Sequence, residues 1–388
     1  MFALLTILML AALAGPLLGY GRRGLVPVVV GELIGGAILG RTGLQVIDPT
    51  TQPLPSFSAI GFAMLMFTAG TQVDIGSPQI RSGFSRGVST LLVVAVAAVP
   101  LAFVVDRALS VGNFPLLAVL ITGSSAAIAF PIITERRLQG PSISFLIAWI
   151  AVADSLTVLL MPLTLTGPGH IGLAIAGDAA LVAAAVVALA GAERLHRTTA
   201  SQNMRTWSLG RGWAWQVRLS VVLVLGLSAI AERTGASSLI AGFLAGMVLV
   251  RLREPGRLVL QLTGIAEGFF VPLFFVLLGA QINLRALVSD PSRILLALAL
   301  TVAAMLAHLL AATLRARQYR LPTGLAATAQ LGLPAAAASL GLSSGRITPG
   351  VGAALVAAGC LTLIPATIGS LMLARATADA ARSPAAAS

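Results

Sequence analysis

Residues 122–131 read Thr-Gly-Ser-Ser-Ala-Ala-Ile-Ala-Phe-Pro, and residues 330–335 read Gln-Leu-Gly-Leu-Pro-Ala. Each stretch lies inside a long apolar run, and each weakens a helix in the middle of that run. Gly123 and Gly332 carry the backbone entropy of glycine, and Pro131 and Pro334 each remove an N–H from the hydrogen-bond ladder. An interrupted helix frees carbonyls and brings half-helix dipoles to the gap, which is one way to hold a small cation with few charges. A single break of this kind says little. Two of them at matching places in the two halves of a chain are most simply read as a pair of crossed, broken helices.

The composition around these stretches places them in lipid. Of 388 residues, 57% are hydrophobic and 10% charged, and the mean hydropathy is +0.96. A soluble globule carries roughly 25% charged residues, because its surface must face water. The net charge of +12 is no footprint of nucleic acid, because the basic residues stand as ones, twos and threes between apolar runs. All 25 are arginine. The single cysteine, Cys360, rules out a disulfide within the chain and a cysteine metal cluster, and reads as packing. The first apolar run, residues 2–20, is followed rather than preceded by Arg22 and Arg23, so it reads as a retained helix and not as a signal peptide.

A helix needs about 20 mostly apolar residues to cross the hydrocarbon. Breaking the chain at its charges and Gly/Pro positions predicts an all-α polytopic membrane protein of about thirteen transmembrane helices. Loops after odd-numbered helices hold nineteen arginines and loops after even-numbered helices hold six. Because positive charge stays on the cytoplasmic side, this alternation predicts an outside N-terminus and an inside C-terminus.

The two halves echo each other at an offset near 210 residues. Gly31-Glu-Leu-Ile-Gly-Gly36 aligns with Ala241-Gly-Phe-Leu-Ala-Gly246, and Phe62-x-x-Leu65-x-Phe67 aligns with Phe270-x-x-Leu273-x-Phe275. Gly123-Ser-Ser-Ala-Ala-Ile-Ala aligns with Gly332-Leu-Pro-Ala-Ala-Ala-Ala338. Equivalent helices are seven apart, an odd number, so the second copy is expected to be inverted. The chain 1–388 is then a single transporter domain, with a first repeat at 1–165, a connector helix and loop at 166–215, and a second repeat at 216–388.

Charges inside apolar runs are expensive and mark functional candidates. Asp154 lies in mid-run in Ile147-Ala-Trp-Ile-Ala-Val-Ala-Asp-Ser-Leu-Thr-Val-Leu159. A carboxylate at that depth is driven to bind a proton or a metal cation, which are the two substrates of an exchanger. The alternative is a structural hydrogen bond to a neighbouring helix. Thr122, Ser124 and Ser125 at the first break are the expected companions of Asp154, with Gly123, Pro131, Gln330, Gly332 and Pro334 shaping the broken helices. His308 is either a charge partner of Asp154, a pH sensor, or an interhelical hydrogen bond without a transport role. Glu32 and Glu267 read as structural or gating residues. The chain carries no zinc spacing, phosphate-cradling loop or nucleophile motif, so neither an enzyme nor a cofactor is expected.

With these residues the chain resembles the monovalent cation:proton antiporter-2 family of bacterial sodium/proton and potassium/proton exchangers. The motifs are Pro27-Val-Val-Val-Gly-Glu-Leu-Ile-Gly-Gly-Ala-Ile-Leu-Gly40, Phe67-Thr-Ala-Gly-Thr-Gln-Val-Asp74, Ala241-Gly-Phe-Leu-Ala-Gly246 and Phe269-Phe-Val-Pro-Leu-Phe-Phe275. The resemblance implies a homodimer in the bacterial plasma membrane, with a mobile core domain moving like an elevator past a dimerisation domain. It implies that Asp154 is the ion-binding aspartate and that Ser124 and Ser125 are broken-helix residues near it. Electrogenic members carry an acidic pair and a lysine. Here Ala153 precedes Asp154 and His308 occupies the lysine's place, which suggests one cation exchanged for one proton. Two other readings remain at this point: a sodium-coupled organic-solute symporter, and a non-transporting membrane sensor or subunit.

Overall fold

The computed structural model describes residues 2–21, 28–71, 78–125, 141–166, 168–196, 198, 203–204, 207–208, 211, 215–234, 238–251, 256–281 and 284–382. Among the described residues every regular element is helical. Nine helices there are long and apolar enough to span a bilayer, and three shorter apolar helices cover Phe2–Leu18, Val28–Leu39 and Leu239–Arg251. Together with the nine-residue helix Phe114–Thr122, every one of the thirteen expected segments contains a helix.

The first half contains α1 (Phe2–Ala12), α2 (Ala14–Gly21), α3 (Val28–Leu39), α4 (Leu54–Thr71), α5 (Pro78–Leu109), α6 (Phe114–Thr122) and α7 (Pro141–Leu165). Next comes α8 (Ile171–His196), followed by α9 (Trp215–Thr234), α10 (Ser238–Arg251) and α11 (Gly256–Ile265). A π-helical turn, Ala266–Phe270, joins α11 to α12 (Val271–Gln281). The chain finishes with α13 (Leu284–Ser289), α14 (Pro291–Arg315), α15 (Arg320–Ala327), α16 (Gly332–Ser343) and α17 (Pro349–Arg382). The expected first helix is divided at Leu13, just before Gly15-Pro16, where proline cannot donate to the carbonyl four residues back.

The helices sort into two packing groups. In one, α5 packs on α6, α7 and α14, while α17 packs on α14, α15 and α16. In the other, α3 packs on α12, α4 on α10 and α12, and α9 on α8 and α10. The two groups meet where α7 touches α8 and α10, and where α16 touches α4. Each group draws helices from both halves of the chain.

Close approach in the second group depends on glycine. A Cβ on Gly36 of α3 would lie 2.0 Å from the Val276 carbonyl oxygen of α12, and one on Gly246 of α10 would lie 2.2 Å from that of Phe67 of α4. A side chain at either place would push the backbones apart, so small residues set the helix spacing. The sequence echo near 210 residues pairs α3 with α10 and α4 with α12, and the structure packs α3 on α12 and α10 on α4.

The outer surface is apolar. On α14, Leu295, Leu298, Val302, Leu306, Leu310 and Leu314 are exposed at helical spacing, while Ala304, Ala307, His308, Ala311 and Ala312 are buried on the opposite face. A helix that is apolar all round fits a membrane span whose outer side contacts lipid.

Candidate functional site

In the described residues α6 ends at the first expected interruption, the chain leaves the helix at the second, and the two places touch. Helix α6 stops at Gly123, whose backbone is extended (φ −62°, ψ 153°) and whose N–H still donates to Val119 and Leu120. The second break occupies 328–331, between α15 and α16. There Gly332, Leu333 and Pro334 open α16, where a proline's missing N–H is tolerated because the first-turn donors have no intrahelical partner. Gln330 lies in the gap, whereas Gly332 and Pro334 form the first turn of the second half-helix. The carboxyl end of α15 and the amino end of α16 face the gap with opposite dipole signs.

Ser124 ties the breaks together. Its Oγ donates to the carbonyl oxygen of Ala327, the last residue of α15, at 2.7 Å. A second contact joins them, since a Cβ built on Gly123 would lie 2.6 Å from Cδ2 of Leu333 in the first turn of α16. Thr122 turns back on its own helix, donating to Ala118 O at 2.8 Å. Ser125 is buried beside these residues. Pro131 lies outside the described residues.

The non-helical backbone of Gln330 is satisfied from α17. Its N–H donates to Thr362 Oγ1 at 3.2 Å, and that hydroxyl lies 3.0 Å from Gln330 O and 2.7 Å from Gly359 O. A cavity of about 10 Å³, room for roughly one water, lies beside it, lined by Ile121, Ala304, Gln330, Pro334 and Thr362. Thr362 escaped the sequence reading. As a lone hydroxyl in the apolar run 353–365 it is unremarkable, and its partner is 32 positions away.

Asp154 is 6% exposed. It lies near the middle of α7, which packs on α6, α15 and α16, the three helical pieces that end at the breaks. Ala153 beside it is fully buried. Thr157, one turn later, spends its hydroxyl on Ala153 O at 2.7 Å.

His308 is 0% exposed and lies on α14. Its Nδ1 is 2.8 Å from Ala304 O, and its ring stacks on Trp149 of α7 with centroids 5.6 Å apart and planes 20° off parallel. Trp149 precedes Asp154 by five residues, about 7.5 Å along a helix axis. His308 Nε2 and Trp149 Nε1 are both buried without a protein partner among the described residues. The indole was another residue the sequence did not single out.

The two glutamates lie elsewhere. Glu32 is buried where α3 passes α2, close enough that a Cβ on Gly15 would be 2.9 Å from its Cγ. Glu267 is exposed within the π-helical turn. Neither belongs to the helices that carry the breaks.

Residues 8–375 match the profile of the sodium/hydrogen exchanger, transmembrane family. The chain belongs to the sodium/hydrogen exchanger family. It is therefore a multi-pass membrane transporter-family protein and not an enzyme. YjbQ of Bacillus subtilis (strain 168) is 28% identical over 378 residues, which cover 91% of this exchanger-family chain and 60% of YjbQ. The match thus spans less than two thirds of that relative. The Na(+)/H(+) antiporter of Enterococcus hirae is 24% identical over 309 residues, covering 74% of this chain and 75% of that protein. The solved structure of the sodium proton antiporter MjNhaP1 from Methanocaldococcus jannaschii superposes with a TM-score of 0.63 at 18% identity, covering 97% of this chain and 98% of that one. At that identity the likeness establishes the exchanger-family fold.

Proposed function

We propose that the protein exchanges a monovalent cation, sodium or potassium, for protons across the bacterial plasma membrane, with Asp154 binding cation and proton in turn. The observation that carries the reading is the Ser124–Ala327 bond, which joins the two breaks next to the helix that bears a buried carboxylate. Helix ends and freed carbonyls supply oxygen ligands and a favourable field for a small cation. The carboxylate supplies the charge that a proton cancels. Cation and proton then compete for the same oxygens, and that competition couples their movements.

The two packing groups suit an elevator motion. The group of α5, α6, α7 and α14–α17 would slide as a body against the group of α3, α4, α9, α10 and α12, which would form the homodimer. Exchanged packing of α3 with α12 and α10 with α4 supports a duplication, while the odd spacing of equivalent helices and the uneven arginine distribution favour an inverted one with the N-terminus outside and the C-terminus inside. A single carboxylate, with Ala153 beside it, favours electroneutral exchange. The family assignment favours this reading over an organic-solute symporter or a non-transporting subunit.

Asp154→Asn keeps the size of the side chain and removes its proton exchange. In proteoliposomes carrying a pH-sensitive dye, sodium- or potassium-driven proton release is expected to vanish, with reconstitution and oligomeric state unchanged. Exchange that persists in the variant would refute the assignment.

A further inference from the structure

A second polar feature lies at one end of the helix that bears Asp154. A cavity of about 230 Å³ opens between the ends of α5, α7 and α14, and Arg86, Ser142, Phe145, Arg315, Arg317 and Gln318 line it. Three arginines therefore face one space, contributed by positions that are far apart in the chain. Arg315 is held in place by a hydrogen bond from its Nη2 to Ser89 Oγ on α5. Among the described residues, none of the three has a carboxylate within ion-pair distance.

We propose that this cavity binds a phosphate-bearing anion, with Arg86, Arg315 and Arg317 as its cationic ligands. Guanidinium groups suit phosphate because their planar fork presents paired donors to its oxygens. The amino end of α7, which begins at Pro141 beside Ser142, adds its positive dipole end to the same space. Arginines at a helix end on the positive side of a membrane protein need no shared cavity, and a lone arginine there would imply nothing. Convergence of three on one concave site, with no acidic partner among the described residues, goes beyond that rule.

The source of the phosphate is either an anionic lipid headgroup or a free phosphate. Surroundings favour the lipid. Leu314, next to Arg315, is 64% exposed, and Phe84, two residues before Arg86, is 50% exposed. Both belong to the apolar outer surface, where acyl chains would lie while the headgroup enters the cavity. Basic pockets between transmembrane helices recognise lipid phosphates in this way. Phe145 of the cavity wall is also in ring contact with Trp149, centroids 5.9 Å apart, and Trp149 stacks on His308. An occupied cavity would therefore brace the amino end of α7 against α14.

The test is direct binding, so its failure would leave the exchanger reading standing. Purified full-length protein in neutral detergent would be titrated with short-chain phosphatidylglycerol, with short-chain phosphatidylcholine, and with sodium phosphate, following thermal protection. Saturable protection by phosphatidylglycerol and not by phosphatidylcholine is expected. Arg86→Ala and Arg317→Ala should each weaken it about tenfold, the scale of one charge-assisted hydrogen bond. Arg346→Ala, in the connection between α16 and α17, should leave it unchanged. Protection by sodium phosphate alone at similar concentrations, lost in the same variants, would identify a soluble phosphate as the ligand. Absence of protection by either, or equal protection in Arg317→Ala, would overturn the proposal. Arg317 lies on the exposed segment after α14, so that variant remains informative even if Arg86→Ala fails to fold.

Discussion

Ser124 and Ala327 are 203 positions apart in the chain, and the serine hydroxyl donates to the alanine carbonyl across 2.7 Å of buried space. This bond joins the carboxyl ends of α6 and α15, two helices that both stop inside the protein. A carbonyl at a helix end has no partner within its own helix, so the bond both satisfies Ala327 and fixes how the breaks cross.

Ser124→Ala removes the donor and leaves a buried acceptor unpaired, at a cost of about 1–3 kcal/mol. A lower melting temperature in detergent and slower exchange in proteoliposomes are expected together. If neither changes, the crossing is held by packing alone.

Gly36→Ala brings a methyl group to within 2.0 Å of the Val276 carbonyl. Overpacking of this kind costs about 1–3 kcal/mol and can exceed that when backbone must move. Gly172→Ala, at a position with open space around it, serves as the control. Fluorescence-detected size exclusion should show a reduced monodisperse peak for the first and none of that loss for the second.

His308→Phe keeps a ring to stack on Trp149 and removes both ring nitrogens. Transport is expected to persist with an altered pH profile or cation affinity, measured as exchange rate across a pH series. Full loss of exchange in a stable variant would make a ring nitrogen of His308 essential to the transport cycle.

Asp290 caps α14 by accepting from Ser292 N–H at 3.0 Å. Hydrogen bonds from Ser292, with Arg293 adjoining, hold its carboxyl below the usual carboxylate range. A depressed value in the folded chain means the contribution is present above the unfolded value of about 3.9 and fades as pH falls through the folded one. Asp290→Asn can still cap but does not titrate. Its melting temperature should therefore vary less than wild type between about pH 5 and 3, and parallel curves would remove the cap from the pH response.

Much of the architecture was readable in advance. Apolar runs and their number reflect the solvent around each segment, and each stretch of chain carries that information by itself. Gly123 and Pro334 announced the breaks for the same local reason, although the second gap opens at 328–331, ahead of the proline, which serves as a first-turn residue of α16. Asp154 was legible because a charge in an apolar run is conspicuous.

Partnerships were not legible, because they depend on which surfaces meet. Trp149 could not be assigned to His308, nor Thr362 to Gln330, by any periodicity along the chain, and Arg86 and Arg317 share a cavity across more than half of its length. The sequence by itself determined that this chain lives in lipid, that each of its apolar runs contains a helix among the described residues, and where α6 ends and the α15–α16 gap opens, since these follow from residue chemistry and local hydrogen bonding. Tertiary structure decided that the two breaks meet at Ser124 and Ala327 and that helices from both halves interleave in each packing group. Those outcomes rest on contacts between distant segments, where close packing and the need to satisfy buried carbonyls select one arrangement.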